Sequence, residues 1–259
     1  MIGDQMGRFR VFSVLWLALF ANVLVAETDE RAAGREIVSI YLGAAGLSDD
    51  PDLNRYVNLV GTRVASVSAR ADILWTFGVL DTESVNAFAA PGGFILVTRG
   101  LLNLLESEDE LAAVLAHEVS HIVRQHHWQI IKKQKATATV IKKMQGNIKA
   151  SNELFSDING LFSDMMTRGL DKSAEFEADR DAAILAANAG YDCTAILSLL
   201  EKMGGLKAGS DEVSLLFQTH PDPEERLDQV VSAMTEDMDS CASPSAASSR
   251  FSRYVIRNP

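Results

Sequence analysis

The 259-residue sequence contains few of the residues that mark several protein classes. Two cysteines cannot build a disulfide framework, while six prolines and seventeen scattered glycines without a repeating period exclude collagen-like and solenoid designs. Lys and Arg number 24 against 35 Asp and Glu, so the basic surplus that a general nucleic-acid-binding protein needs is lacking. Because 47% of the residues are hydrophobic and 23% are charged, we expect a globular protein.

The N-terminus has the organisation of a secretory signal peptide. Arg8 and Arg10 precede an uncharged run from Val11 to Ala26, which is shorter than the roughly 20 residues of a transmembrane helix. We predict cleavage after Ala26 and a periplasmic or secreted protein, although the large Leu24 leaves an uncleaved N-terminal anchor as the alternative. The predicted parts of the chain are a signal peptide (1–26), one globular domain (27–239) and a Ser-rich tail (240–259).

The two cysteines lie far apart, at Cys193 and Cys241. An exported protein meets an oxidising compartment, so we predict a disulfide that attaches the tail to the body of the protein. The alternative is two unpaired thiols. Unless Cys241 is tied down in this way, we expect the tail to be poorly ordered.

The hydrophobic pattern predicts a mainly helical α+β protein with one small sheet. Helical spacing of apolar residues extends over 29–70, with a second helix starting at Pro51. Three short β-branched or aromatic runs at 73–80, 85–89 and 94–98 predict an antiparallel sheet. Further helices are indicated by the capping box Ser107–Glu110, by residues 171–189 before Gly190, and by Asp222 as N-cap of Pro223.

Residues 128–150 carry six lysines and no acidic residue, although the chain is acidic overall. Such a run is typical of the solvated face of a helix. The alternative interpretation is a mobile lid beside a site, or a stretch that makes peripheral contact with a membrane surface.

The segment from His117 to His121 has the sequence HExxH. A spacing of four places both imidazoles on one helical face, one turn apart, so that both can bind one metal ion. Glu118 is rotated by about 100° and can hold a water at the metal without displacing it. The capping box and an apolar stripe predict this helix independently of the motif. HExxH in a predicted helix is a specific indication of a metal site.

Two histidines leave a zinc site short of a third protein ligand. Glu175 and Asp179 lie four residues apart on a later predicted helix, whereas Glu177 points elsewhere. One carboxylate could bind the metal and the other could accept the free N–H of a ligating histidine; a solvent-facing acidic helix is the alternative. His126 and His127 fall off the ligand face, and we assign both to the surface.

Together these motifs resemble those of the zinc metallopeptidases called gluzincins, related to the HtpX heat-shock protease and the CAAX prenyl protease. The resemblance rests on HExxH followed by ExxAD at 175–179. Four further segments also match the family, at residues 86–93, 97–101, 189–192 and 219–221. It covers about residues 30–235 and is closest to the exported soluble branch. The resemblance implies a zincin-like metallopeptidase domain with one Zn²⁺ per chain, in which Glu175 is the third ligand and Asp179 the partner of a ligating histidine.

The resemblance implies an endopeptidase in which Glu118 is the general base and His220 or Arg226 stabilises the oxyanion. The family holds its substrate extended along an edge strand, where main-chain pairing has little sequence preference. That suits a protease acting on misfolded or unassembled cell-envelope proteins. A chaperone-like binder of such proteins, with a latent or weak protease site, is the alternative. The candidate edge-strand residues are Asn86, Ala87, Phe88, Ala89 and Ala90.

Three interpretations of His220 remain open. It could donate to the oxyanion, or it could swing in as a fourth ligand that holds the enzyme latent. It could also do no more than pack against the start of the following helix.

Overall fold

The computed structural model describes residues 28–144, 169–207, 210–233 and 248–255. The predicted signal peptide, the end of the Lys-rich stretch and Cys241 lie outside these residues. As predicted, the described part is mainly helical with one small sheet. Its elements are α1 (Asp29–Ala45), α2 (Pro51–Ala65), β1 (Thr76–Leu80), β2 (Ala87–Ala90), β3 (Phe94–Thr98), α3 (Arg99–Leu104), α4 (Glu108–Val123), α5 (His126–Met144), α6 (Lys172–Asn188), α7 (Ala195–Gly205), α8 (Asp211–Thr219), α9 (Pro223–Ala233) and α10 (Ser248–Tyr254).

Capping residues begin the helices near the predicted positions. Asp50 accepts hydrogen bonds from two first-turn amides of α2, which starts at Pro51. The Ser107 hydroxyl accepts from the Glu110 amide at 3.1 Å and caps α4 as predicted, but the Glu110 carboxylate reaches back to the amide of Glu106. These bonds satisfy amides that have no partner within their helix, so they fix where α2 and α4 begin.

The sheet is mixed, which corrects the prediction of an antiparallel sheet. β2 pairs with β3 antiparallel, as expected, but β1 pairs with β3 in parallel, and the strand order is β1-β3-β2. The connection 81–86 packs around the end of β3, where the Thr98 amide donates to the Asn86 carbonyl and the Gly100 amide to the Thr82 carbonyl, both at 3.0 Å. β3 therefore lies between the other two strands, and β1 and β2 cannot form a hairpin.

The two edges of the sheet have different surroundings. The side chains of Asn54 and Asn58 in α2 hydrogen-bond to the main chain of β1 and cover that edge. β2 forms the other edge. Because the Asn86–Thr98 pair is hydrogen-bonded and antiparallel pairs alternate, the main-chain groups of Ala87 and Ala89 point away from β3.

The HExxH helix α4 is the centre of the core. Residues 108–122 of this helix are all buried, and it packs against α6, α2, α7 and the sheet. The small side chains of Ala178 and Ala182 on α6 are fully buried, which lets the two helices approach closely. Asp171 caps the start of α6, and Gly190, with φ of 80°, follows its end as predicted. This packing brings the carboxylates of α6 to the histidines of α4.

Residues 248–255, which belong to the predicted tail, are docked on the body. Phe251 is fully buried, and Arg250 donates two hydrogen bonds to Glu108 at 2.6 and 3.1 Å. The hydroxyls of Tyr56 and Tyr191 also donate to Glu108. Burial of the aromatic ring and these charge-assisted bonds offset the entropy lost in ordering a Ser-rich segment.

Cys193 is fully buried in the same core. The described part of the chain contains no free cysteine. Since Cys241 lies outside that part, the Cys193–Cys241 bridge stays a prediction.

The described start of the Lys-rich stretch belongs to α5. Ile131 packs on the body with Ile37 and Ala90, while Lys132 lies over the ring of Trp128 at 5.8 Å. One face is thus packed and the lysine face is exposed, in line with a solvated helix face. Over the described ranges, no helix combines the length and apolar character needed to cross a bilayer.

Candidate metal centre and active site

Four buried side chains meet at one point of the core. His117 and His121 project from α4, Glu175 projects from α6, and His220 follows the last residue of α8. One ligand atom of each lies within 4.8 Å of the others, and together they could hold a metal ion. The structure therefore brings together the two histidines of HExxH, the first glutamate of ExxAD and the distant His220.

Two of the three separations in this cluster fit tetrahedral coordination, and the third, between the two imidazole nitrogens, is shorter. The Nε2 atoms of His117 and His121 are 3.0 Å apart, and each lies 3.5 Å from one oxygen of Glu175. Ligands 2.0–2.2 Å from a tetrahedral ion are separated from one another by about 3.3–3.6 Å. The buried Oε1 of Glu175 has no hydrogen-bond partner among the described residues, and a bound cation would satisfy it.

Asp179 holds the outer nitrogen of His117. Its Oδ1 lies 2.9 Å from His117 Nδ1, an ion-pair contact outside hydrogen-bond geometry, while the Nε2 of His117 faces the cluster. Arg226 binds both oxygens of Asp179 at 2.7 Å, and its Nη1 lies 3.2 Å from Glu175 Oε2. Burial by itself would raise the pKa of Asp179, but Arg226 and His117 lower it to about 2. Asp179 is therefore held as a carboxylate.

The cluster attracts positive charge. Burial opposes protonation of His117, yet its contacts with Asp179 and Glu175 raise the pKa of His117 to about 10. Burial alone would raise the pKa of Glu175, but the charges of His220 and Arg226 hold it well below its usual range. Glu175 is therefore ionised inside the cluster, as a carboxylate ligand of a metal ion must be.

Glu118 has a free carboxylate oxygen beside this cluster. The side chain is 2% exposed, its Oε1 lies 3.7 Å from His220 Nε2, and its Oε2 has no partner among the described residues. Burial raises the pKa of Glu118, and the charges of His220 and His117 offset part of that increase. Among the described residues, Glu118 thus has a carboxylate oxygen beside the cluster that is available to accept a proton.

The two candidates for the oxyanion, His220 and Arg226, both lie at the cluster. His220 Nδ1 lies 3.0 Å from Glu175 Oε2, so its ring stands between Glu175 and Glu118. Arg226 is also at the site, but two of its three nitrogens are engaged by Asp179. Its third nitrogen, Nη1, makes no hydrogen bond among the described residues, so His220 and Arg226 both stay candidates for the oxyanion.

Two cavities open beside Glu118 and His220. One runs along the edge strand and is lined by Ala87, Phe88 and Ala89. The other has a mainly apolar wall. That wall includes Leu101, Val114, Ile196, Leu199 and Met203.

His126 and His127 lie at the site, which corrects their assignment to the surface. Helical periodicity does not continue through the end of α4, because Gln125 takes a left-handed conformation with φ of 59° and the chain turns back. His126 Nδ1 lies 2.8 Å from His121 Nδ1, and His127 lines the cavity along the edge strand. The sequence Arg-Gln at this turn has no Gly or Pro that would have indicated the break.

Residues 51–234 match Peptidase family M48. The chain belongs to this peptidase family. Its metallopeptidase chemistry agrees with the geometry of the cluster, and the match includes both α4 and α6.

Several curated relatives share this region. The chain is 29% identical over 198 residues to the mitochondrial metalloendopeptidase OMA1 of Schizosaccharomyces pombe, covering 76% of this chain and 58% of that protein. It is 28% identical over 208 residues to the beta-barrel assembly-enhancing protease of Escherichia coli, covering 77% of this chain and 42% of the relative. The OMA1 protein of Arabidopsis thaliana is 33% identical over 162 residues, 62% of this chain and 32% of that protein. The chain thus spans only part of the length of these relatives.

Proposed function

We propose that the chain is a zinc-dependent endopeptidase that acts on misfolded or unassembled proteins of the cell envelope. The observation that carries this proposal is the convergence of His117, His121 and Glu175 on one point, with the unpaired carboxylate oxygen of Glu118 beside it. Two imidazoles and one carboxylate are the ligands of many catalytic zinc sites. One Zn²⁺ per chain would fit this set.

Zinc, when bound, supplies a Lewis acid that polarises the scissile carbonyl and acidifies the attacking water. Glu118 accepts a proton from that water and passes it to the leaving amine, a double role that its raised pKa favours. His220 donates to the developing oxyanion from its place between Glu175 and Glu118. Arg226 holds the carboxylates of Asp179 and Glu175 in position.

The substrate would pair with the edge strand β2 in an extended conformation. The main-chain groups of Ala87 and Ala89 point outward, into the cavity that Glu118 also lines. The Ala87 amide already donates to the side-chain oxygen of Asn86 at 2.8 Å, which leaves the Ala89 amide as the donor for a substrate carbonyl. Pairing of this kind recognises the main chain of the substrate, so it suits unfolded chains of any sequence.

Replacing Glu118 tests hydrolysis directly. Glu118→Gln keeps every proposed ligand and removes the base, so we expect full zinc content with casein turnover reduced by at least about 10²-fold. Glu201→Gln, the same change at an exposed position of α7, is the matched control and should keep wild-type turnover. A chaperone-like binder would lose nothing in Glu118→Gln, so equal behaviour of the two variants would refute the peptidase proposal.

The envelope assignment has two supports. The basic start and apolar run of residues 1–26 favour export, since mitochondrial presequences are Arg-rich amphipathic segments without such a run. One group of relatives is also named for enhancing beta-barrel assembly. We expect N-terminal sequencing of the exported protein to begin at Glu27. We also expect a urea-unfolded outer-membrane β-barrel to be cleaved faster than the same barrel folded in detergent; equal cleavage of both would contradict this substrate class.

A further inference from the structure

The two histidines of HExxH hold their outer nitrogens in different ways. His117 Nδ1 lies 2.9 Å from the carboxylate of Asp179 in an ion-pair contact, whereas the Nδ1 of His121 lies 2.8 Å from the Nδ1 of His126 within hydrogen-bond distance. At that distance one imidazole nitrogen must donate a proton and the other must accept it.

The second nitrogen of each ring decides the direction of this bond. His121 Nε2 faces the cluster, 3.0 Å from His117 Nε2 and 3.5 Å from Glu175 Oε1, so as a metal ligand it presents a lone pair there. The ring proton of His121 is then on Nδ1 and is donated to His126. His126 consequently carries its own proton on Nε2, and the acceptor for that proton is Glu177 Oε2 at 3.4 Å.

The outer end of this chain of bonds is anchored to both helices. Arg124 Nη1 lies 3.1 Å from Glu177 Oε2, and the same guanidinium pairs with both oxygens of Asp181. The Ser120 hydroxyl of α4 also donates to Asp181 at 2.9 Å. His126 is 11% exposed and Glu177 is 46% exposed, so the bond next to the metal ligand is shielded and the outer one is solvated.

We propose that His126 is a positioning residue, supported by Glu177, that holds His121 in the tautomer and ring orientation needed to bind the metal. The inference rests on the proposed zinc site. It gives a role to a histidine outside the HExxH motif and to the middle glutamate of Glu175–Asp179. Without an acceptor at His126, the ring of His121 can rotate or carry its proton on Nε2, and in either state it cannot bind.

Zinc affinity is the measurement that separates this role from a merely structural one. A residue that only stabilises the fold changes the stability of the zinc-free and zinc-bound protein equally and leaves the affinity unchanged. We expect His126→Leu to weaken zinc binding about 10- to 100-fold, measured by competition with a chelating indicator. His126→Asn should recover most of that loss, because its Oδ1 takes the place of the accepting Nδ1.

Two further variants complete the comparison. Glu177→Ala should weaken zinc binding only about two- to fivefold, since a half-exposed partner contributes less. Lys133→Leu, a change at an exposed position of the helix that carries His126, is the control and should keep wild-type affinity. Wild-type affinity in His126→Leu, or equal losses in His126→Leu and His126→Asn, would overturn the inference.

The wild-type protein allows a test that does not depend on any variant folding. With five histidines in the chain, ¹⁵N NMR of the ring nitrogens can identify the tautomers in the zinc-loaded protein. We expect His126 in the Nε2–H form and His121 protonated on Nδ1; a His126 protonated on Nδ1 would refute the inference. Failure of the wild type to bind zinc would overturn the proposed function as well, whereas tight binding by both wild type and His126→Leu would overturn only this role.

Discussion

Replacing Arg226 by leucine should destabilise even the zinc-free protein strongly. Arg226 is 3% exposed and makes two hydrogen bonds of 2.7 Å to Asp179, with a further contact of 3.2 Å to Glu175. Charge-assisted bonds contribute roughly 1.5–3 kcal/mol each, and breaking a buried ion pair costs about 3–5 kcal/mol because the other charge stays buried. We therefore expect Arg226→Leu to lower the free energy of unfolding by about 3–5 kcal/mol.

Urea unfolding of the zinc-free protein measures this loss, and Arg124→Leu is the matched control. Arg124 makes the same two-pronged contact with an aspartate of α6, Asp181, but its side chain is 31% exposed. A solvated pair of this kind should contribute about 1 kcal/mol or less. In the double variant Arg226→Leu, Asp179→Leu, the free energy of unfolding should fall by less than the sum of the two single changes. Neither charge of this pair is then left buried without its partner. Similar losses in Arg226→Leu and Arg124→Leu would refute the argument from burial.

The remaining predictions concern the oxyanion, the substrate strand and the disulfide. His220→Ala should lower casein turnover by roughly 10²–10³ if it donates to the oxyanion; higher activity, or self-cleavage, would instead identify a fourth ligand that keeps the enzyme latent. Ala89→Pro removes one outward amide from β2 without touching the β3 ladder, so kcat/KM for an unfolded protein should fall roughly 2- to 13-fold, and an unchanged value would exclude pairing at this amide. Mass spectrometry without reductant should show Cys193 linked to Cys241, stabilising the fold by roughly 4 kcal/mol on the chain-entropy model, and two alkylatable thiols in the native protein would contradict the bridge.

The local features of this protein could be predicted from its sequence because they depend on residues a few positions apart. Ser107 and the apolar stripe after it establish the helix that carries HExxH, and a spacing of four places His117 and His121 on one face. Asp50 and Pro51 likewise determine where α2 begins. Each of these interactions closes within one or two helical turns, so no knowledge of the rest of the chain was needed.

Other features depend on contacts between distant segments, and only the tertiary structure decided them. β3 lies between β1 and β2 because the connection 81–86 packs around its end, and the strand composition cannot report that path. Phe251 orders the last helix by filling the core beside α4. Asp179 takes its place on His117 only because small alanines let α6 approach α4 closely.

The placement of His126 shows most directly where sequence reasoning stops. Continued helical spacing carries it away from the ligand face, but one left-handed residue, Gln125, returns its ring to His121. A single backbone angle at a non-glycine residue leaves no signal in the local sequence. The free-energy cost of the left-handed conformation at Gln125 is offset by contacts such as those of Arg124 with Glu177 and Asp181. These contacts form only after α4 and α6 have packed.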